Sequence, residues 1–294
     1  MIDITTLTEA EFKKLPPVIE GESKEVRYAG NGLVVIRFKP TIYSYTANRC
    51  GVVPGSDVLR LRATRIFLEL FRGAGIKHAY KEVNDKWVLA ELMMPSMVEF
   101  EKYGIPPFVI PDLSFQLPSS HTAPPIEVIV KRFHGGTSKH RYRGMDGSVV
   151  RSSHPFFAGQ RIHVDDAYPV PIVRFDWRNP FQDKNGNRVQ DEPLSEDMAD
   201  LYIDVKIACA TARRVYEALE TFLDKCDIIC YDICLFIAAD GETVYGEVSQ
   251  DCVRFRHFDF GSLDKDVWRA GGSSEQVLEK WEKLLELISD GKGG

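Results

Sequence analysis

The alternation of apolar and polar positions predicts a sheet with one helix in the first third of the chain. Residues 18–40, VIEGESKEVRYAGNGLVVIRFKP, alternate as two strands around a Gly-Asn-Gly turn, and residues 75–93 supply two more strands. Residues 57–72 carry apolar side chains at helical spacing, and glycines follow as end signals. These elements predict a mainly antiparallel sheet that carries one helix.

The spacing of apolar residues in the second half predicts two long helices with a hairpin between them. Ser195 has the chemistry of a helix cap, and an apolar stripe continues from it to Phe222. Residues 227–248 have the composition of two strands around an Asp-Gly turn. Ser273 and Gln276 have capping-box spacing ahead of a last amphipathic helix. The stripe of the first helix is Met198, Leu201, Val205, Ala208, Ala212, Val215, Leu219 and Phe222.

Two segments lack a regular pattern. Residues 101–124 are rich in proline and serine, which predicts a long loop between two lobes. Residues 164–194 are predicted to be irregular, as either a substrate lid or a packed loop. We therefore predict an α+β, two-lobed fold around a cleft, with an antiparallel-sheet lobe over residues 1–124 and a mixed α/β lobe over residues 125–294.

Charge and composition exclude several classes of function. The 294 residues contain 37 Lys and Arg against 43 Asp and Glu, a net charge of −6. A negative chain has no global field that attracts nucleic acid or an anionic membrane, so any anion site must be local. No apolar run approaches the roughly 20 residues that span a bilayer, and the start shows no signal-peptide pattern. The sequence predicts a cytoplasmic protein without nucleic-acid or membrane partners.

The cysteines are predicted to be free thiols. Cys226, Cys230 and Cys234 resemble a metal-binding series, but they fall on one predicted strand. At roughly 3.3 Å per residue, neighbours in this series are about 13 Å apart, too far to share an ion. Buried thiols in a reducing compartment are therefore the better interpretation.

Charged residues that suit a metal, a phosphate or a carboxylate concentrate in three places. The hairpin and the loop after it bring acidic groups next to an arginine, and one later turn carries an acid with two bases. The third place is a basic loop around Gly135-Gly136, where flexible backbone and hydroxyls favour phosphate binding over a merely solvated loop. The three sets are Asp232, Glu247, Asp251 and Arg254; Asp264, Lys265 and Arg269; and Lys131, Arg132, Thr137 and Ser138.

The order of these motifs resembles the SAICAR synthetase (phosphoribosylaminoimidazole-succinocarboxamide synthase) family from about Gly21 to Trp281. Pro125 to Lys131, PIEVIVK, is similar to a strand of that family that precedes a Gly-Ser turn, here Gly136-Thr137-Ser138. SQDCVRF is similar to the family's Thr-Pro-Asp-x-x-Arg segment, and DKDVWR matches its Asp-Lys-x-x-x-Arg. We expect a divergent member with the family's fold.

The resemblance implies a ligase that activates a carboxylate with ATP and Mg²⁺, after which an amine attacks. It implies three roles for side chains: contacts to the nucleotide, ligation of the metal, and binding of a sugar phosphate and ring carboxylate. The nucleotide side would be Gly21, Lys24 and Glu127; the metal ligands would be Asp232 and Glu247, catalytic together with Lys24; and the substrate side would be Lys131, Arg132, Thr137, Ser138, Asp251, Arg254, Asp264, Lys265 and Arg269.

Departures from the family pattern concentrate on the nucleotide and metal side. Cys234 stands where the family has a lysine, Phe236 where it has a metal-binding glutamate, and Gly246 where it has an aspartate. Magnesium prefers one or two carboxylates with phosphate oxygens, so these changes put ATP and Mg²⁺ in doubt. Cys234 is better explained as a packed thiol than as a nucleophile, because no base can be assigned to it.

Two hypotheses follow from this pattern. The first is a ligase that joins an amino acid amine to a carboxylate on a phosphoribosyl or C-ribosyl heterocycle, in specialised nucleoside metabolism. The second is a phosphoribosyl-ligand-binding protein, or an enzyme for another reaction, that no longer uses ATP. The oligomeric state stays open, a homodimer included.

Overall fold

The first sheet is antiparallel and contains the strands predicted from the alternating pattern. The computed structural model describes residues 2–44, 49–95, 119–135, 144–179 and 189–290. Five strands pair in the order β1-β2-β3-β7-β6. They are β1 (Pro17–Glu20), β2 (Lys24–Gly30), β3 (Leu33–Phe38), β6 (Tyr80–Val83) and β7 (Val88–Glu91), with helix α1 (Glu9–Lys14) before them.

The second sheet is the one that carries most of the predicted site. Its order is β14-β13-β10-β15-β17-β18, with β16 paired to β15, and every pairing in it is antiparallel. The strands are β10 (Ile126–Phe133), β13 (Ala167–Trp177), β14 (Glu192–Leu194), β15 (Ile228–Ile237), β16 (Val244–Tyr245), β17 (Val253–His257) and β18 (Gly261–Ser262). Together the sheets and helices confirm the predicted α+β fold.

Smaller pairs and the remaining helices complete the described residues. The short strands form three pairs outside the two sheets: β4 (Thr41–Ser44) with β5 (Arg49–Val52), β8 (Met94–Pro95) with β9 (Thr122–Ala123), and β11 (Ser148–Val149) with β12 (Arg161–Ile162). The helices are α2 (Ser56–Gly73), α3 (Glu196–Ala199), α4 (Val205–Asp224), α5 (Asp266–Arg269) and α6 (Ser274–Asp290). Among the helices in the described ranges, none is long and apolar enough to cross a bilayer.

The structure differs from the sequence prediction in residues 164–194. This segment was predicted to be irregular, but residues 167–177 form the eleven-residue strand β13. The cause is tertiary pairing, because β13 lies against β10 from Trp177 opposite Ile126 to Ala167 opposite Phe133. Proline-rich residues 101–118 of the predicted inter-lobe loop lie outside the described residues.

The single long helix predicted from Ser195 is also wrong. It is two helices, α3 and α4, with a break at residues 200–204. Asp204 begins α4 because its side chain accepts a hydrogen bond from Ile207 N at 2.9 Å. The break leaves Leu201 75% exposed, although the periodicity placed it on the buried stripe.

Helix α2 packs into both halves of the molecule. Phe67 and Phe71 join the largest apolar cluster, which also includes α4, α6 and the second sheet. Leu61 and Leu68 join a smaller cluster with β3 and β7. The division at residues 124 and 125 therefore stays a prediction, and any hinge between lobes would have to accommodate α2.

The second sheet has one apolar face and one charged face. Val128, Val130, Ile233 and Leu235 are buried and pack in the cluster that contains α4. Side chains alternate along a strand, so the intervening residues of β10 and β15 lie on the other face. These are Glu127, Ile129 and Lys131 on β10, and Asp232, Cys234 and Phe236 on β15.

Candidate functional site

The centre of the charged face is a row of three side chains on adjacent strands. Lys131 of β10 is opposite Asp232 of β15, which is opposite Arg254 of β17. Lys131 Nζ lies 3.2 Å from Asp232 Oδ2 and donates to Gly135 O at 3.0 Å. Arg254 Nη1 donates to the same Asp232 oxygen. One buried carboxylate thus holds two cations in place.

The pKa of Asp232 is set by these partners. Burial alone would raise the pKa of this carboxyl, but Arg254 and Lys131 outweigh burial and lower it. Asp232 is therefore an ionised carboxylate at neutral pH. Its negative charge is already paired with Lys131 and Arg254, so Asp232 is not free to bind a metal ion.

A second carboxylate, Asp266, continues this line of charges beyond Arg254. Arg254 Nε lies 3.6 Å from Asp266 Oδ1, and Arg269 Nη1 donates to that oxygen at 2.5 Å. Burial opposes ionisation of Asp266, but Arg254 and Arg269 lower its pKa to about 2. Lys265 Nζ lies 3.1 Å from Asp251 Oδ1 at the same end. The structure thus brings together four predicted substrate-binding cations: Lys131, Arg254, Lys265 and Arg269.

These ion pairs leave hydrogen-bond donors for a ligand. A guanidinium has five N–H groups and an ammonium three, so one or two contacts do not exhaust them. In the described residues, Arg254 uses Nη1 and Nε and leaves Nη2 without a partner, and Lys265 Nζ contacts Asp251 alone. A row of oriented cations with unused N–H groups is suited to a phosphate or carboxylate. We call Lys131, Arg254, Lys265 and Arg269 the cationic row.

Two predicted substrate residues, Arg132 and Asp264, lie elsewhere. Arg132 points to the opposite face, where its Nη1 donates to Tyr168 O at 2.6 Å and its Nε lies 3.4 Å from Glu220. Asp264 is 0% exposed and accepts from Phe255 N at 2.8 Å, and burial raises its pKa. It fixes the turn behind the cationic row. Thr137 and Ser138 lie outside the described residues.

Glu247, predicted as a metal ligand, is paired with two cations. Arg60 of α2 donates from Nε to Oε1 at 2.8 Å and from Nη2 to Oε2 at 2.5 Å. Lys24 Nζ lies 2.6 Å from Oε2, and Ser249 Oγ donates to Oε1 at 2.6 Å. Burial would raise the pKa of Glu247, but Arg60 and Lys24 lower it well below its usual range. Both oxygens of this carboxylate are fully used.

This triad joins distant parts of the chain. Lys24 lies on β2 of the first sheet, Arg60 on α2, and Glu247 beyond β16. Arg60 is 1% exposed, so its charge depends on Glu247 for compensation. We call Lys24, Arg60 and Glu247 the inter-sheet triad.

The glycine predicted to approach a nucleotide is also engaged. Gly21 N donates to Lys24 O at 2.8 Å, and Gly21 O accepts from Lys39 Nζ at 2.9 Å. A Cβ placed on Gly21 would meet nothing nearer than Lys24 O at 3.7 Å, so the loop does not demand glycine. The loop is a closed turn, in which the Gly21 amide is used internally.

The residues present do not fit a protein-bound Mg²⁺. Glu247 and Asp232 are each paired with two cations, and no group of three His, Cys, Asp or Glu in the described part of the chain could hold a metal ion. Magnesium needs carboxylate oxygens that are free to coordinate it. At Glu247, the charge that balances the carboxylate comes from Lys24 and Arg60.

The two substituted positions of the family's metal site are packed against each other. Gly246 has a φ of +86°, and a Cβ at this position would lie 3.0 Å from Phe236 Cδ2. Phe236 stacks on Tyr245 with 5.5 Å between ring centroids. The aromatic ring therefore fills the space that a side chain at position 246 would need, so the two departures are structurally coupled.

Restoring the family's aspartate should damage this packing without creating a metal site. We expect Gly246→Asp to lower the free energy of unfolding by about 1–3 kcal/mol, through left-handed strain plus the clash with Phe236. Gly261→Asp is the matched control, because its φ is +66° with nothing within 4 Å of a Cβ. Urea unfolding should show a larger loss for position 246, and melting with added Mg²⁺ should show no recovery. Equal losses, or rescue by Mg²⁺, would contradict this interpretation.

Sequence reasoning missed two members of the site. Arg60 stands three, four and seven residues before Ala63, Thr64 and Phe67, which are all buried on α2, so helical spacing placed it on the inner face. Asp266 lies inside the DKDVWR motif, three residues before Arg269. Both signals were present in the sequence.

Comparison with known proteins places the chain in a family. The SAICAR synthetase family model matches residues 17–287. The chain therefore belongs to the SAICAR synthetase family.

Similar proteins agree with this assignment. A SAICAR synthetase (Type-2) solved in complex with ADP is 22% identical and superposes with a TM-score of 0.66, over 93% of this chain and 97% of that one. The SAICAR-synthase from Saccharomyces cerevisiae complexed with SAICAR is 14% identical with a TM-score of 0.62, over 98% of each chain. At these identities, the structures show a shared fold.

A curated relative is the bifunctional cordycepin biosynthesis cluster protein 3 of Cordyceps militaris. It is 25% identical over 331 residues, which cover 96% of this chain. The matched part is 34% of that protein, so this chain spans about a third of the relative's length.

Proposed function

We propose that this chain is an amide-forming enzyme that acts on a carboxylate carried by a phosphorylated ribosyl heterocycle. The amine would come from an amino acid. The observation that supports this best is the cationic row, in which Asp232, Asp266 and Asp251 hold four cations on or beside the charged face of the second sheet. Positioning and charge neutralisation account for most of what a protein contributes to such a reaction.

The cationic row would bind the two anionic groups of the ligand. Lys131 and Arg254 lie on neighbouring strands, and Lys265 and Arg269 approach from the turn and helix α5. A guanidinium can bind two oxygens of a phosphate or carboxylate at once, which fixes orientation as well as charge. The cationic row would thus hold both the phosphate and the carboxylate of the ligand.

Nucleoside biosynthesis is the proposed setting. The relative's name refers to cordycepin biosynthesis, and a similar solved structure, from Ehrlichia chaffeensis, is named phosphoribosylaminoimidazole-succinocarboxamide synthase. An activated carboxylate is required for amide formation, and the family resemblance assigns this activation to ATP. We place no step on Mg²⁺, because Glu247 and Asp232 are already neutralised by side chains.

The inter-sheet triad and Phe236 favour a second candidate. A protein that kept the cationic row but gave up ATP would bind the phosphorylated ligand, or act on it in another way. Loss of ATP binding would explain two features. Glu247 is paired with Lys24 and Arg60, and the ring of Phe236 lies beside Gly246.

A product assay separates the candidates. The chain is mixed with ATP, a phosphoribosyl-imidazole carboxylate and a set of amino acids, with and without Mg²⁺, and mass spectrometry follows the amide and ADP. The ligase proposal expects amide and ADP in equal amounts. Calorimetric binding of the carboxylate ligand without any ADP or amide would support the second candidate, and absence of ligand binding would reject both.

A further inference from the structure

The charged face has a second polar site at the end away from the cationic row. Glu127 is opposite Asp176 on β13, and Phe236, which follows the Leu235 partner of Val128, lies beside it on β15. Phe236 is in turn opposite Tyr245. Glu127 is four positions before Lys131 on β10, so the Cα atoms of these two residues are about 13 Å apart.

Arg178 approaches the same end. It stands two residues beyond Asp176, so its side chain is on the same face, and its N donates to Pro125 O at 2.9 Å. The guanidinium carbon lies 5.0 Å from the centroid of the Phe236 ring. Arg178 is exposed, which leaves its N–H groups accessible to a ligand.

Glu127 and Arg178 lie at the same end of the charged face without forming a pair. In the described residues, the Glu127 carboxylate and the Arg178 guanidinium make no hydrogen bond or ion pair. Burial raises the pKa of Glu127, against the attraction of Arg178. By contrast, Asp176 is neutralised by Arg174 through contacts of 2.7 and 2.6 Å. A carboxylate in a partly buried position is costly without a partner, so this gap suits a ligand.

We propose that Glu127, Arg178 and the Phe236–Tyr245 pair form the subsite for the amino acid, and that it selects a zwitterion with an uncharged, apolar side chain. This inference rests on the proposed amide-forming function and names its amine substrate. Glu127 binds the α-ammonium, Arg178 binds the α-carboxylate, and the aromatic pair contacts the side chain.

Charge around the subsite excludes an acidic side chain. The carboxylates that act on Glu127 are Asp191 and Asp176, and the cations are Arg178 and Lys265. Lys265 is paired with Asp251 at 3.1 Å and belongs to the cationic row, so Arg178 is, among the described cations that act on Glu127, the one assigned to the α-carboxylate. A second carboxylate on the ligand would face Glu127 and an aromatic surface, and like charges within a few ångströms disfavour binding.

Titration calorimetry with three probes tests the subsite without ligase activity. The probes are L-phenylalanine, L-aspartate and phenethylamine, which lacks the carboxylate, each titrated with and without the phosphoribosyl-imidazole carboxylate. We expect L-phenylalanine to bind at least about tenfold more tightly than either other probe, a difference of about 1.4 kcal/mol. Glu127→Gln and Arg178→Met should each weaken L-phenylalanine binding at least about tenfold.

Matched variants control for folding and net charge. Glu242→Gln and Arg62→Met remove the same groups from exposed surface pairs with Lys77 and Asp85, and they should leave L-phenylalanine binding unchanged. Equal affinity for L-aspartate, no L-phenylalanine binding, or unchanged binding in Glu127→Gln and Arg178→Met would each overturn the subsite. An amide formed with aspartate only would reject the subsite while the ligase stands. Binding of L-phenylalanine with no amide from any amino acid would reject the ligase while the subsite stands.

Discussion

Glu247→Gln is expected to lower the free energy of unfolding by about 3–5 kcal/mol, the usual cost of breaking a buried ion pair. The reason is Arg60, which is 1% exposed and would be left charged in the interior without its carboxylate. Burial opposes the charge of Arg60, but Glu247 outweighs it and raises the pKa of the guanidinium. Glutamine has nearly the same size as glutamate, so the decrease in the free energy of unfolding measures the effect of removing the negative charge.

Urea unfolding of wild type and variant gives this number. Glu242→Gln is the control, since Glu242 forms an exposed pair with Lys77 and its loss should change stability very little. A Glu247→Gln variant as stable as wild type would contradict the inter-sheet triad. So would a melting temperature that rises with Mg²⁺ in wild type but not in Glu247→Gln, because this difference would show that Glu247 binds metal.

The pH dependence of the same pair of proteins has a definite sign. The pKa of Glu247 is lowered in the folded protein from an ordinary value of 4.5, so its ion pair contributes fully above about pH 4.5. This contribution is lost as the pH falls below 4.5 toward the lowered pKa. The stability difference between wild type and Glu247→Gln should therefore be constant near neutral pH and shrink in acid. A difference that grows in acid would contradict the assigned ion pair.

Lys265→Met should weaken binding of a phosphoribosyl-imidazole carboxylate by roughly 10- to 150-fold, the loss of about 1.5–3 kcal/mol for a hydrogen bond to a charged group. Lys265 is the best member of the cationic row to remove, because among the described residues it forms an ion pair with Asp251 alone. Arg254 is held by both Asp232 and Asp266, so its removal would also disturb folding. Lys86→Met, on an exposed turn far from the row, is the control.

The affinity loss is read by calorimetric titration, with unfolding curves to show that Lys265→Met is folded. An unchanged affinity in this variant would remove Lys265 from the ligand site. A loss of equal size in Lys86→Met would show that overall charge, and not the cationic row, governs binding.

Local patterns predicted much of the fold, and tertiary contacts explain the failures. The capping box of α6 is present, with Ser273 N donating to Gln276 Oε1 at 2.8 Å. Strand β13 was missed because its regularity comes from pairing with β10, which no local period shows. The second strand of the hairpin is shorter than predicted, since β16 ends at Tyr245 and the left-handed Gly246 follows.

The site was predictable as a set of residues but not as a set of pairs. The motifs supplied Asp232, Glu247, Arg254 and Lys265, and the structure places them on or beside one sheet face. Which cation meets which carboxylate depends on strand register and on α2, whose Arg60 comes from 187 residues away in sequence. A carboxylate predicted to bind metal can therefore be an ion-pair partner, and only the fold distinguishes the two.

The central claim is that the four cations of the cationic row, and not a divalent metal, supply the positive charge that binds the ligand. Calorimetric titration of wild type with a phosphoribosyl-imidazole carboxylate, in Mg²⁺ and again in EDTA, tests it most directly. We predict the same dissociation constant in both buffers, within about twofold, because Lys131, Arg254, Lys265 and Arg269 are held in place by their own carboxylates. Binding that appears only with Mg²⁺ would contradict the claim.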